Sequence, residues 1–208
     1  MFAPGAGRPL AGVAVVLVVV AVLVAVGVVP DPDVAVGALA IVGALELFLL
    51  VFFRDPERTP GAGIVSAADG RVHGVDREGD LWRISVFMNV TNVHVNRLPL
   101  DAEFVAVGDA GSGHRPAYRS DAARNVRRAY ALSTPIGPVE VVQVTGILAR
   151  RLVSFVRAGA VARKGDRFGM IVLGSRVDVV LPAARATPVV RVGERVRAGE
   201  TTIAREAP

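Results

Sequence analysis

Two apolar runs near the N-terminus set the first limit on what this chain can fold into. Leu10 to Val29 carries no polar side chain, and Val34 to Phe53 is interrupted only by Glu46. At about 1.5 Å per residue, each run is long enough as a helix to cross roughly 30 Å of hydrocarbon. Pro30-Asp31-Pro32-Asp33 reads as a turn, so residues 1–53 are expected to form a transmembrane hairpin. Residues 54–63 follow as a linker, and 64–208 as a β-rich domain. Arg8 precedes the hairpin, Arg54 and Arg58 follow it, and the turn carries only aspartates. That asymmetry predicts a cell-membrane protein with its larger domain on the cytoplasmic side. A cleaved signal peptide fits less well, because the first run is long and a second follows at once. Glu46 is expected to face the headgroup zone or the partner helix, since facing lipid near the bilayer centre would cost about 3 kcal/mol.

The formal charge is +5 and is carried by arginine, with Lys164 the only lysine. Such a balance suits a membrane surface or nucleic acid. No helix-turn-helix, finger or aromatic-basic interleaving favours nucleic acid, so none is expected as a partner. The absence of cysteine excludes disulfides, thiolate metal sites and cysteine catalysis. His73, His94 and His114 are too scattered to suggest a metal cluster, and no metal is expected.

Beyond the linker, short apolar runs alternate with Gly, Asp and Pro. Ile64-Val65, Gly70–Val75, Leu81–Met88, Val93–Val95, Phe104–Val107, Val139–Val144 and Ile147–Val156 read as strands. Phe168 to Leu173 is apolar on both faces, the mark of a buried strand, and Arg176 to Leu181 resumes with strand formers. Gly174-Ser175 interrupts the two, as a glycine does at a bulge or a close approach. The polar stretch 108–128 reads as a long loop, with a short helix from Asp121 to Tyr130. Val156-x-x-Gly159 with Gly165-Asp166 is echoed 34 residues later by Val190-x-x-Gly193 with Gly199-Glu200. This pattern resembles the turns of lipoyl- and biotinyl-type domains, so a mainly β, barrel-sandwich-like fold is expected.

Singly, the polar candidates have plain explanations. Asp69-Gly70 is a turn dipeptide. His94 and Asn96 share one face of a short strand, and Arg97 and Arg176 read as surface charges. Their order along the chain is more specific. Phe52-Phe53-Arg54-Asp55-Pro56-Glu57-Arg58 leads to Ser66-Ala67-Ala68-Asp69-Gly70, then to Asn92-Val93-His94-Val95-Asn96-Arg97. Gln143-Val144-Thr145-Gly146 follows, then Gly165-Asp166-Arg167-Phe168-Gly169, and Leu173-Gly174-Ser175-Arg176 closes the series. In this order the chain, from about Phe52 to Pro182, resembles the phosphatidylserine decarboxylases in their short form.

The resemblance implies a proenzyme that cuts itself between Gly174 and Ser175, leaving a β chain 1–174 and an α chain 175–208. These would remain together as a heterodimer. Ser175 would become a pyruvoyl group, the covalent cofactor. It would take a serine phospholipid through a Schiff base and release the ethanolamine lipid. Asp69, His94 and Ser175 would form the processing and catalytic centre, with Asp69 orienting His94 as base. Arg97 and Arg176 are weaker candidates for the substrate carboxylate or phosphate. Arg97 stands where longer bacterial members carry a second histidine, and Arg176 where Thr is frequent. Two rivals stay open: a membrane-anchored carrier or adaptor modified at Lys164, and a serine hydrolase using the same three residues.

Overall fold

The computed structural model describes residues 1–29, 31–113, 125–146, 151–172 and 175–207. They fall into two compact units, Met1–Pro56 and Glu57–Pro208. In the first, α1 (Gly7–Ala25) and α2 (Pro32–Phe52) are apolar apart from Arg8, Asp33 and Glu46. Both are long and apolar enough to cross a membrane, which suggests membrane association. Asp31 caps α2 by accepting the Asp33 and Val34 amides at 2.9 and 3.3 Å, and Pro32 occupies the first turn, where its missing N–H costs nothing. Within α2 the less exposed positions include Ala35, Ala38, Val42, Glu46 and Leu49. That helical spacing sets Glu46 on the stripe its apolar neighbours use.

The second unit is almost entirely strand. In chain order these are β1 (Ile64–Val65), β2 (Gly70–Glu78), β3 (Leu81–Met88), β4 (Val95–Arg97), β5 (Ala102–Ala110), β6 (Arg127–Thr134) and β7 (Gly137–Thr145). Then come β8 (Arg151–Ser154), β9 (Val161–Ala162), β10 (Arg167–Val172), β11 (Ser175–Pro182), β12 (Ala186–Pro188), β13 (Arg195–Val196) and β14 (Thr202–Glu206). An antiparallel sheet of eight runs β13-β2-β3-β11-β7-β6-β5-β9, and two sheets of three run β4-β10-β8 and β1-β14-β12. No closed barrel is formed by the described strands, so the fold is mainly β and the barrel-sandwich expectation is not confirmed.

The hydrophobic core lies against one face of the sheet of eight. Val177, Val179 and Leu181 of β11 pack with Ile84 and Val86 of β3 and Val141 of β7. Phe104, Tyr130 and Phe168 meet as a ring cluster, with the Tyr130 and Phe168 centroids 4.9 Å apart. The expected helix from Asp121 to Tyr130 is not found over its described end. Arg127–Thr134 is instead a strand between β5 and β7. Its alternation, with Tyr130 and Leu132 buried and Ala131 and Ser133 outward, obeys a period of two. The paired arginines at its start concealed that alternation.

The internal repeat is structural. Gly159, Gly165, Gly193 and Gly199 all adopt positive φ, a conformation that suits glycine. Each copy is a turn, a two-residue strand and a turn, and the two strands, β9 and β13, form opposite edges of the sheet of eight. The hydrogen bonds repeat too. Gly159 donates to the Phe104 carbonyl at 2.7 Å, and Gly193 to that of Val72 at 2.8 Å. Gly165 donates to Leu98 and Gly199 to Ser66, both at 2.8 Å. The Lys164 amide donates to the Asp101 carboxylate at 2.7 Å, and the Ala198 amide to that of Asp69 at 2.8 Å. Residues 66–72 and 98–104 are therefore matching partner segments, with Asp69 and Asp101 in the same place.

Gly70 has a φ of 151°, and a Cβ there would collide with the Phe87 carbonyl. Gly70→Ala is expected to cost about 2–3 kcal/mol. A thermal melt of the detergent-solubilised chain should show this as a midpoint lowered by about 5–10 °C.

Candidate active site at one rim of the sheet

β2 and β11 begin, and β3 and β7 end, at one rim of the sheet of eight. Ser175 stands opposite Met88 of β3 and Thr145 of β7. Beside them, Arg71 is opposite Phe87, and Gly70 opposite Val196. Gly174 lies outside the described residues, and of Ser175 only the backbone is described. β10 ends at Val172 in one sheet and β11 begins at Ser175 in another. The Gly174–Ser175 bond therefore belongs to a two-residue crossing between sheets.

His94 immediately precedes β4, which pairs with β10, and its carbonyl accepts the Ile171 amide at 3.3 Å. That places it beside the last residues before the crossing. It is fully buried. Its Nδ1 lies 2.9 Å from the Asn92 carbonyl. A carbonyl only accepts, so Nδ1 carries the proton in the neutral ring and Nε2 is the basic nitrogen. The orienting group of His94 is thus a backbone carbonyl two residues back.

Asp69 is held otherwise. Its carboxylate takes both Arg58 guanidinium nitrogens, Nη2 to Oδ2 at 2.9 Å, and the Ala198 amide. Arg58 also donates to the Ala198 carbonyl at 2.7 Å. Among the described residues Asp69 forms no hydrogen bond with His94, so the expected orienting pair is not made. Both carboxylate and guanidinium are nearly buried.

The model of the family described as phosphatidylserine decarboxylase matches residues 45–204. A Thermobifida fusca protein named phosphatidylserine decarboxylase proenzyme is 46% identical over 172 residues, covering 81% of this chain and 79% of its own. A Halobacterium salinarum protein provisionally named archaetidylserine decarboxylase proenzyme is 44% identical, covering 85% and 93%. A Streptomyces avermitilis phosphatidylserine decarboxylase proenzyme is 39% identical, covering 84% and 89%. The chain belongs to the phosphatidylserine decarboxylase family.

In this member of the phosphatidylserine decarboxylase family the two candidate substrate arginines are already engaged. Arg97 is buried, and its Nη1 donates to the Gly165 carbonyl at 3.1 Å; it is not the surface charge its type suggests. Arg176 grips Asp178, Nε to Oδ1 at 2.8 Å and Nη2 to Oδ2 at 3.0 Å. It shares its face of β11 with Asp178, whereas Val177 and the opposite Gln143 share the other. Gln143 reaches Asn96 beside His94, so Arg176 points to the far side of the sheet from that layer. There it lines a groove of about 420 Å³ with Arg127, Arg83 and Glu78. The hydrogen bond from Arg83 holds the Glu78 carboxyl below its ordinary range.

Two features escaped the sequence reading. One is a buried polar chain behind His94. Tyr130 Oη donates to Gln143 Oε1 at 3.1 Å, Gln143 Nε2 donates to Asn96 Oδ1 at 2.7 Å, and Asn96 touches the Met88 sulfur at 3.8 Å. Burial raises the Tyr130 phenol above its usual range, opposed by hydrogen bonds with Ser154 and Arg128. The phenol therefore stays a neutral donor. Gly169 makes room for the chain, since a Cβ there would lie 3.0 Å from Gln143 Nε2 and 3.1 Å from Tyr130 Oη. The other is Arg58, which sits in the Phe52–Arg58 motif but was counted with the linker. Arg58→Ala leaves a buried carboxylate without its counter-charge and is expected to destabilise the domain by about 3–5 kcal/mol. Chemical denaturation should show it, with Arg58→Lys keeping part of the stability.

Proposed function

We propose that this chain is a proenzyme that cuts itself at Gly174–Ser175 and then decarboxylates a serine phospholipid to its ethanolamine product. What supports this is that the bond falls, in sequence, between strands of two different sheets, with buried His94 bonded to Ile171 just before it, in a chain of the decarboxylase family. A serine hydroxyl needs a base before it attacks, and His94, with its proton on Nδ1, has Nε2 to offer. Attack of the Ser175 hydroxyl on the Gly174 carbonyl exchanges the amide for an ester. β-Elimination then frees the Gly174 carboxylate and leaves a dehydroalanine, which water converts to a ketone with loss of ammonia.

Residues at the rim fit a pyruvoyl group. The backbone of residue 175 is registered on both flanks, the Tyr130–Gln143–Asn96 chain fixes the layer behind it, and the rim opens onto a polar pocket. That ketone supplies an electron sink for the departing carboxylate. His94 would hold the proton returned to the product, Arg58 would hold Asp69 fixed at the rim, and the apolar helices would keep the domain at the bilayer. Arg8 and Arg54 flank the helices while Asp31 and Asp33 lie between them, which supports a cytoplasmic domain; Arg58 is committed to Asp69. Of the rivals, a lysine-modified carrier gains nothing, because Lys164 Nζ donates to the Gly63 carbonyl at 3.3 Å. A hydrolase would keep one intact chain.

The purified protein is expected to run as two bands on a denaturing gel, and Ser175→Ala as one inactive band. In gel filtration without denaturant the two fragments should co-elute, because β11 is paired along both sides. The intact mass of the small fragment should report a ketone in place of an N-terminal amine. A wild-type chain that decarboxylates while uncut would refute the proposal.

A further inference from the structure

A pocket of about 330 Å³ opens at the same rim, between the start of β2, the segment after β3, and β13. Its walls include Arg71, Arg195, Arg197, Asn89, Thr91 and Asn92. Asn92 is the residue whose carbonyl holds His94. From Gly70 to Ser175 is two strand spacings, about 10 Å. Arg71 and Arg195 are direct cross-strand partners, and like charges so placed repel. Arg71 donates one nitrogen to the Gly193 carbonyl at 2.9 Å. Arg197 is largely exposed, with Glu200 at 3.7 Å. Among the described residues no carboxylate forms an ion pair with Arg71 or Arg195. Asp69 also lines the pocket, but Arg58 meets its charge.

The repeat supplies an internal comparison. At the opposite edge, the places of Arg71, Arg195 and Arg197 are taken by Glu103, Val161 and Arg163, and Glu103 is the register partner of Val161. The same scaffold thus carries three arginines only where it adjoins the candidate active site. Stability alone does not call for Arg71 and Arg195, since the other copy folds with Glu103 and Val161 in their places.

We infer that Arg71, Arg195 and Arg197 form a phosphodiester-binding site for the headgroup of the substrate lipid. This rests on the proposed reaction and assigns its substrate anchor. In a serine phospholipid only the two serine carbons and one oxygen separate the amine from the phosphorus. By register Arg71 and Arg195 share the face of Arg176, so a phosphate held by them at the rim leaves the amine and carboxylate to reach residue 175 around the end of the sheet. Guanidinium groups suit the task because they bind phosphate oxygens with paired N–H donors.

The test is kinetic and uses the processed full-length protein with a short-chain phosphatidylserine below its micelle concentration. Arg71→Ala/Arg195→Ala should raise KM about tenfold or more. Arg195→Lys should recover part of the loss, and Arg163→Ala, at the matching place in the other copy, should leave KM unchanged. The defect should be equal on phosphatidylcholine vesicles with and without phosphatidylglycerol. An unchanged KM for dispersed substrate overturns the inference, as does a defect confined to phosphatidylglycerol vesicles, which would assign the arginines to neighbouring anionic lipid. A second arm needs no catalysis. Glycerophosphoserine titrated into uncut Ser175→Ala protein should bind, and should lose that binding when Arg71 and Arg195 are replaced by alanine; equal binding in both overturns the inference. If the wild-type chain neither cuts itself nor releases CO₂, the proposed reaction falls, while this titration still reads the arginine site.

Discussion

β10 and β11 are consecutive strands in different sheets, and only two residues join them. Much of the molecule is arranged around that constraint. β10 is gripped between β4 and β8, and β11 between β3 and β7, so the short crossing is held at both ends by paired strands.

The halves of the domain repeat one another beyond the turns. In each, an aspartate just before a long strand accepts an amide from the tight turn of an edge segment, and a glycine at positive φ closes that turn. The same device serves two ends. At Asp101 the carboxylate takes the Lys164 amide. At Asp69 a buried arginine has been added, and the pocket beside it is basic. One frame recurs, and one of its two copies carries the charge.

The glycine spacing of the repeat was legible in the sequence because turns need glycine at fixed places. Its partner segments, 66–72 and 98–104, were not, because only Asp69 and Asp101 are common to their key positions and the rest is generic strand. β1 and β3 were legible to the residue, as apolar runs bounded by turn formers. β6 was not, because the side chains of Arg127 and Arg128 obscure an alternation that only Tyr130 and Leu132 express. Among site residues, Ser175 and His94 stood out by motif. What each polar group binds was hidden: periodicity says which way a side chain points, not that Asp69 would choose Arg58 over His94, or that Arg97 would be buried under the Gly165 turn. Those choices depend on segments far apart in sequence, such as Arg58 and Ala198.

The segment after the crossing does not form a unit of its own. From residue 175 onward it places β11 in the middle of the largest sheet, β13 on that sheet's edge, and β14 between β1 and β12. For a chain severed at that bond, each piece completes sheets begun by the other. Such a protein assembles once, as a single polypeptide. Once severed, the parts would have to find each other as separate molecules after any full unfolding. Its persistence would then be set by the rate at which the sheets open, a barrier rather than an equilibrium.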